Sequence, residues 1–285
     1  MGLQARMVLT VFLLGVVYLI FLAVLAYFRA DLLTTLVFIG GFMLLQYFYS
    51  DKMVLLSMGA KVVSESEAPE IHEIVSRLCS IAGLPKPRIA IVKSNVPNAF
   101  ATGRNQKNAV VAVTTGILQQ LNKSELEAVL AHELSHVKNR DAMVLTIASF
   151  LSTLAFFFVR NLLLFGGGRR DRNSGNIFLV WLVSVVVYGV SYLLILALSR
   201  YREFAADRGS AIITGQPSNL ASALTKISGI MPKIPSEDLR KVEGVNAFFI
   251  IPAVSRASIF NLLSTHPPVE ARIAALERIE KELAA

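Results

Sequence analysis

The chain is 285 residues long, 54% hydrophobic and only 17% charged, with a formal net charge of +8. Soluble domains average about 25% charged residues, so an ordinary soluble protein is excluded and membrane spans joined to a soluble portion are expected. No dense Lys/Arg stripe with interleaved aromatics accompanies the positive charge, which discounts a nucleic-acid partner and assigns the basic residues to lipid headgroups and topology.

Met7 to Phe28 is almost wholly apolar, and crossing a bilayer takes about 20 such residues. No small-x-small cleavage site ends the run, so an uncleaved span is favoured over a signal peptide. After a minimal turn at Arg29-Ala30-Asp31, Leu32 to Tyr49 forms a second apolar segment, and residues 1–50 read as a transmembrane hairpin. From Ser50 the composition is that of a soluble domain, whose first part is expected over 51–142. Glu70 to Ile81 has helical spacing and ends at Gly83, with the lone Cys79 on its apolar face as a buried thiol and His72 on its solvated side. Arg88 to Val92 follows Pro85-Lys86-Pro87 as a short strand. Asn98, Ala99, Phe100, Ala101 and Thr102 form another, turning at Gly103, with Ala109 to Val113 as partner. That strand is either an edge on which an extended peptide can pair or an ordinary hairpin, and the sequence alone weighs the two evenly.

Ser124-Glu125-Leu126-Glu127 reads as the capping box of a helix that contains His132-Glu133-Leu134-Ser135-His136. Histidines four apart share one helix face, so both rings can reach one cation, and zinc is the usual occupant. Glu133, rotated by about 100°, leans over the open position and can take a proton from a water that the metal acidifies. A third apolar run extends from Met143 to Phe165, and a fourth from Ile177 to Leu198, separated by a glycine- and arginine-rich loop over 166–175. His136 is seven residues from the third run, about 10 Å of helix, so the metal lies close to the membrane surface. Two histidines need a third protein ligand, and Glu203, directly after the fourth run, is the best candidate. Asp207, one turn later, can accept a hydrogen bond from a ligand histidine and fix its tautomer. Further on come a helix over Asn219–Ser228, an apolar stretch ending at Pro252, and Thr265-His266-Pro267-Pro268. By itself His266 is a cap or a surface residue. The last amphipathic helix turns Ile273, Leu276 and Ile279 inward.

Taken together, several motifs resemble the HtpX-type heat-shock membrane proteases, relatives of the CAAX prenyl endopeptidases. They are Pro97 to Gly103, Val129 to His136, Asn139-Arg140-Asp141, Glu203-Phe204-Ala205-Ala206-Asp207 and Thr265 to Pro268, in order and over nearly the whole chain. The resemblance implies a membrane-bound zinc endopeptidase with one zinc per subunit, acting on misfolded or damaged membrane proteins in quality control and stress response. It implies His132, His136 and Glu203 as zinc ligands, Glu133 as general base, Asn98 to Thr102 as the substrate-pairing strand, and His266 as a helper at the oxyanion. The expected fold is mainly α, an integral membrane protein with about four transmembrane helices and a zincin-like α+β catalytic domain. That domain is split between 51–142 and 199–285 by a second hairpin over 143–198. Polypeptides and the lipid bilayer are the expected partners. A membrane protein whose zinc is structural, without hydrolytic activity, is the alternative. One ion cannot be shared across a bilayer, so an even number of crossings separates His136 from Glu203, or the hairpin between them never fully spans. Arg6, Lys52, Lys61, Lys138, Arg140, Arg200 and Arg202 flank the zinc side and make it cytoplasmic at the cell membrane, against the opposing Arg169, Arg170 and Arg172.

Overall fold

The structure, a computed structural model, describes residues 3–27, 32–165, 174–235, 250–251 and 266–284. Long apolar runs become helices because, in lipid, each backbone amide must bond within its own segment. In chain order the elements are α1 (Leu3–Tyr27), α2 (Leu32–Ser57), β1 (Lys61–Val63), α3 (Pro69–Ala82), β2 (Arg88–Val92), β3 (Ala99–Thr102), β4 (Val110–Thr114), α4 (Thr115–Gln120), α5 (Lys123–Lys138), α6 (Asp141–Phe165), α7 (Ser174–Thr214), α8 (Pro217–Ile230) and α9 (Val269–Ala284). The chain divides into one unit of Met1–Phe48 with Val144–Tyr201 and another of Tyr49–Met143 with Arg202–Ala285.

The first unit is helical. Phe21 packs with Leu154, Ala155, Val180 and Val187, and Leu14 and Tyr18 pack with Ala148 and Leu198. The Tyr18 hydroxyl donates to the Ala148 carbonyl. Among the described residues three helical stretches are long and apolar enough to cross a membrane: Ala5–Val24, Asp141–Val159 and Phe178–Thr214. The other expected span falls in α2, which is helical from Leu32 to Ser57 but is not one of these three. The expected turn at 29–31 and the Arg169–Arg172 part of the polar loop lie outside the described residues.

The second unit is built on a four-stranded sheet of order β1-β2-β4-β3. β2 and β4 are parallel, while β1 and β3 run antiparallel to their neighbours and form the edges. Alternate side chains serve opposite faces. Ala90, Val92, Phe100, Val110 and Ala112 meet Val54 and Leu55 from the end of α2. Ile89, Ala99, Val111 and Val113 meet the helical layer of Ile74, Leu78, Val129, Leu130, Leu224 and Leu276. Covered on both sides, β4 reads as an unbroken apolar run rather than an alternating one.

The helix ending at Gly83 is present, with Gly83 left-handed at φ 67° and its N–H on the Cys79 carbonyl. Two expectations need correction. His72 is buried, not solvated, with Nε2 3.1 Å from the Val63 carbonyl. The cause is β1, three residues long with one buried side chain, too short for its alternation to be seen. The capping box of α5 is Asn122 with Glu125, not one begun by Ser124. Asn122 Oδ1 accepts the Glu125 N–H at 2.9 Å, and Glu125 Oε2 accepts the Asn122 N–H at 3.0 Å. Asparagine caps as well as serine does, and Ser124 falls within the first turn. The apolar stretch after Ala247 and the residue Thr265 lie outside the described residues, save the buried Ile250 and Ile251.

Candidate metal centre

Helix α5, capped at Asn122, runs under the sheet and carries the buried His132 and Glu133 and the part-buried His136. Helix α7 brings Glu203 and Asp207 against it. Its approach is close because residue 209 is glycine: a Cβ there would sit 2.4 Å from Ser135 Oγ and 2.8 Å from Ser135 Cβ. One residue on, Ser210 Oγ donates to the Ala128 carbonyl at 2.7 Å and ties the two helices.

His132 and His136 then face each other through Nε2, 3.1 Å apart, with their rings nearly perpendicular at 87°. Glu203 closes the group, its Oε2 3.7 Å from His132 Nε2 and its Oε1 3.5 Å from His136 Nε2. One donor atom from each of the three lies within 4.8 Å of the others. The other ring nitrogen of each histidine faces a carboxylate: His132 Nδ1 is 3.0 Å from Asp207 Oδ1, and His136 Nδ1 is 2.6 Å from Asp141 Oδ2. A proton kept on the Nδ1 that faces the carboxylate leaves a lone pair on each Nε2. Two such lone pairs so close repel unless a proton or a metal ion lies between them. Two imidazoles and one carboxylate are a donor set that suits zinc.

Burial disfavours a charged imidazole, but the Asp207 and Glu203 carboxylates outweigh it and push His132 up to about 9. Glu133 is buried too, and that burial raises its carboxyl; Glu203 adds to the rise, while the two histidines and the Ala101 main-chain amide oppose it. His266 is also buried, with Nδ1 3.2 Å from Glu203 Oε2. It stands against the one carboxylate of the His132, His136 and Glu203 group.

The strand expected beside this helix is an edge, and α5 packs on it. Asn98 stands one residue ahead of β3. Its carbonyl accepts the Thr114 N–H at 2.9 Å, and its side chain accepts the Ile250 N–H at 3.0 Å. Antiparallel pairing alternates, so Asn98, Phe100 and Thr102 turn their main chain to β4. Ala99 and Ala101 turn theirs outward, and the Ala101 amide meets Glu133.

The parts that two arginines play in the site escape the sequence reading. Arg272 of α9 is fully buried. It forks onto Asp207, Nε to Oδ2 at 2.9 Å and Nη2 to Oδ1 at 2.6 Å, and Nη1 donates to the Ile250 carbonyl at 2.9 Å. The same Nη1 is 3.4 Å from Glu203 Oε2. Burial works against the guanidinium charge, but Asp207, Glu203 and Glu133 hold it on. Arg202 Nε meets Asp141 Oδ1 at 3.0 Å. Arginine in an amphipathic helix or after a span reads as surface; the signal that could have found Arg272 is the buried charge of Asp207, which needs a counter-ion.

Residues 65–280 match the pattern that defines "Peptidase family M48". The chain is 66% identical over 285 residues to "Protease HtpX homolog 2" of Methanosarcina acetivorans, covering 99% of this chain and 97% of that protein. The chain belongs to peptidase family M48. A further family relative, "Protease HtpX homolog" of Moorella thermoacetica, is 60% identical over 286 residues, covering 99% and 96% of the two chains. Among solved structures, S. mikatae Ste24p shares the fold with a TM-score of 0.59 at 18% identity, over 92% of this chain and 62% of that one. The resemblance read from the motifs is thus to the family the chain belongs to.

Removing one member of a buried ion pair strands the other, at a cost of about 3–5 kcal/mol. Arg272→Met is therefore expected to lower stability by that amount, and Arg272→Met with Asp207→Leu by clearly less. Thermal unfolding of the purified proteins in the presence of chelator checks this; equal losses would mean that a stranded Asp207 carries no such cost.

Proposed function

We propose that this M48 chain is a membrane-bound, zinc-dependent endopeptidase that hydrolyses peptide bonds of misfolded or damaged membrane proteins, with its site on the cytoplasmic side of the cell membrane. The observation that carries the reading is the convergence of His132, His136 and Glu203 donors beside a buried Glu133 whose carboxylate meets an outward amide of an edge strand. His132, His136 and Glu203 would hold one zinc, which when bound supplies Lewis acidity toward the scissile carbonyl and makes water a stronger acid. Glu133 takes the proton of the attacking water as the carbon–oxygen bond forms, and delivers it to the amine nitrogen as the carbon–nitrogen bond breaks. A carboxyl raised by burial suits both halves of that transfer. Asp207 orients His132 through Nδ1. The position of His266 on Glu203 supports a role in holding that ligand, alongside the oxyanion role that the resemblance implies. The purely structural zinc reading is disfavoured because such sites are usually closed by four side chains, often cysteines. Cys79 instead packs in the core beneath the sheet, near the Pro85 carbonyl.

Glu133→Gln is expected to retain about one zinc per chain and to lose at least ~10²-fold in the rate of proteolysis of an unfolded protein. Glu203→Ala is expected to lose both metal and activity. Metal analysis beside the assay decides this: a folded, zinc-free Glu133→Gln protein sinks the division of roles.

Main-chain pairing with substrate would use the outward groups of Ala99 and the outward carbonyl of Ala101, with side-chain preference left loose. Ala99→Pro removes an outward amide and no bond to β4. It should raise KM or abolish turnover in a folded protein. Unchanged peptide cleavage would make the strand a structural edge only.

For orientation, single cysteines at Ser174 and at the exposed Ser218 in a Cys79→Ser background can be probed on whole cells with an impermeant thiol reagent. Labelling of Ser174Cys alone is expected. Labelling of Ser218Cys alone would invert the topology, and labelling of neither would mean that the second hairpin does not reach the far side.

A further inference from the structure

Helix α5 stops at Asn139, whose N–H bonds back to Ser135, and the chain turns at once into α6. The turn is made by Arg140 at φ 55°, the one left-handed non-glycine residue among those described. Side chains rarely adopt this conformation, because Cβ approaches the following carbonyl. Here it folds Asp141 back onto the helix just left. Asp141 Oδ2 comes to 2.6 Å from His136 Nδ1, and its Oδ1 to 3.0 Å from Arg202 Nε. The Asp141 and Arg202 side chains are buried. The arrangement repeats what surrounds the other histidine, where Asp207 meets His132 Nδ1 and is itself gripped by Arg272.

We propose that Asp141 is a positioning residue for His136, held by Arg202 and delivered by the left-handed turn at Arg140, so that both histidines are aimed by matching His–Asp–Arg relays. The proposal rests on the zinc reading above. An acid at the first residue of α6 would by itself suit the helix dipole, and an ion pair to Arg202 would by itself join two helices. Neither requires the carboxylate to spend its other oxygen, at 2.6 Å, on the ring nitrogen that fixes the tautomer of His136.

The test uses the full chain in detergent: wild type, Asp141→Asn, and Asp141→Asn with Arg202→Met, the double variant avoiding a stranded buried arginine. Zinc affinity is measured by competition with a chromophoric chelator, ligand geometry by the visible spectrum of the cobalt(II)-loaded protein, and stability by melting in excess chelator. Both variants are expected to bind zinc about 10–100-fold more weakly and to show an altered cobalt spectrum, while the double variant still melts cooperatively. Wild-type affinity and an unchanged spectrum in both would overturn the proposal and leave Asp141 as a helix-end ion pair, whatever the melting temperatures do. A wild-type chain that binds no zinc would overturn the metal reading itself, and the positioning role with it.

Discussion

Each histidine of the site gives its Nδ1 side to a buried carboxylate, His132 to Asp207 at 3.0 Å and His136 to Asp141 at 2.6 Å. With Nδ1 spent, each ring has one nitrogen left to aim, and the two meet at 3.1 Å. Carboxylates taken from water are costly, by several kcal/mol per ion. The arginine fork on Asp207 and the Arg202 contact on Asp141 offset that cost by satisfying the remaining oxygens. Such a network is a poor way to gain stability. It is a good way to keep two rings from turning.

Glu133 inherits its setting from the same helix. One residue beyond His132, it reaches β3, where the Ala101 amide leans on it. The strand's register explains why this amide is available. Its odd-numbered residues carry the outward main chain, because Asn98 is locked to Thr114 and alternation does the rest. Asn98 also holds Ile250, whose carbonyl takes Arg272 Nη1. The edge strand and the His132 relay are therefore joined through one main-chain unit.

What the sequence displays plainly is whatever has a fixed spacing. The pair His132 and His136 shows itself through helical period, and Glu203 and Asp207 through their place after an apolar run that α7 continues without a break. The strands with clear boundaries, at Arg88–Val92 and Ala99–Thr102, are legible for the same reason. Arg272 is not, since a basic residue beside Ile273 and Leu276 looks like the solvent side of an amphipathic helix. Ile273 itself is only half-buried, while Leu276 and Ile279 are buried as expected. Asp141 stands in the Asn139-Arg140-Asp141 motif, but its place beside His136 is not legible either. Its role depends on one backbone angle at Arg140, and nothing in the residue type of an arginine announces φ 55°. His72 shows the reverse error, a polar residue on a helix whose cover, β1, is too short to be seen.

The Asp141–Arg202 contact also constrains the membrane part of the chain. Residues 144–201 leave the second unit after Met143 and rejoin it at Arg202. The residues flanking that departure and return are in contact at 3.0 Å. No bilayer can pass between two side chains so close, so the inserted stretch must cross an even number of times or not at all. The same contact changes the charge argument for orientation. Arg202 is buried and neutralised by Asp141, and a spent charge adds nothing to a bias set by residues facing the cytoplasm. Lys138 and Arg140, both exposed beside the start of α6, are the residues left to carry that bias on the side where the chain departs.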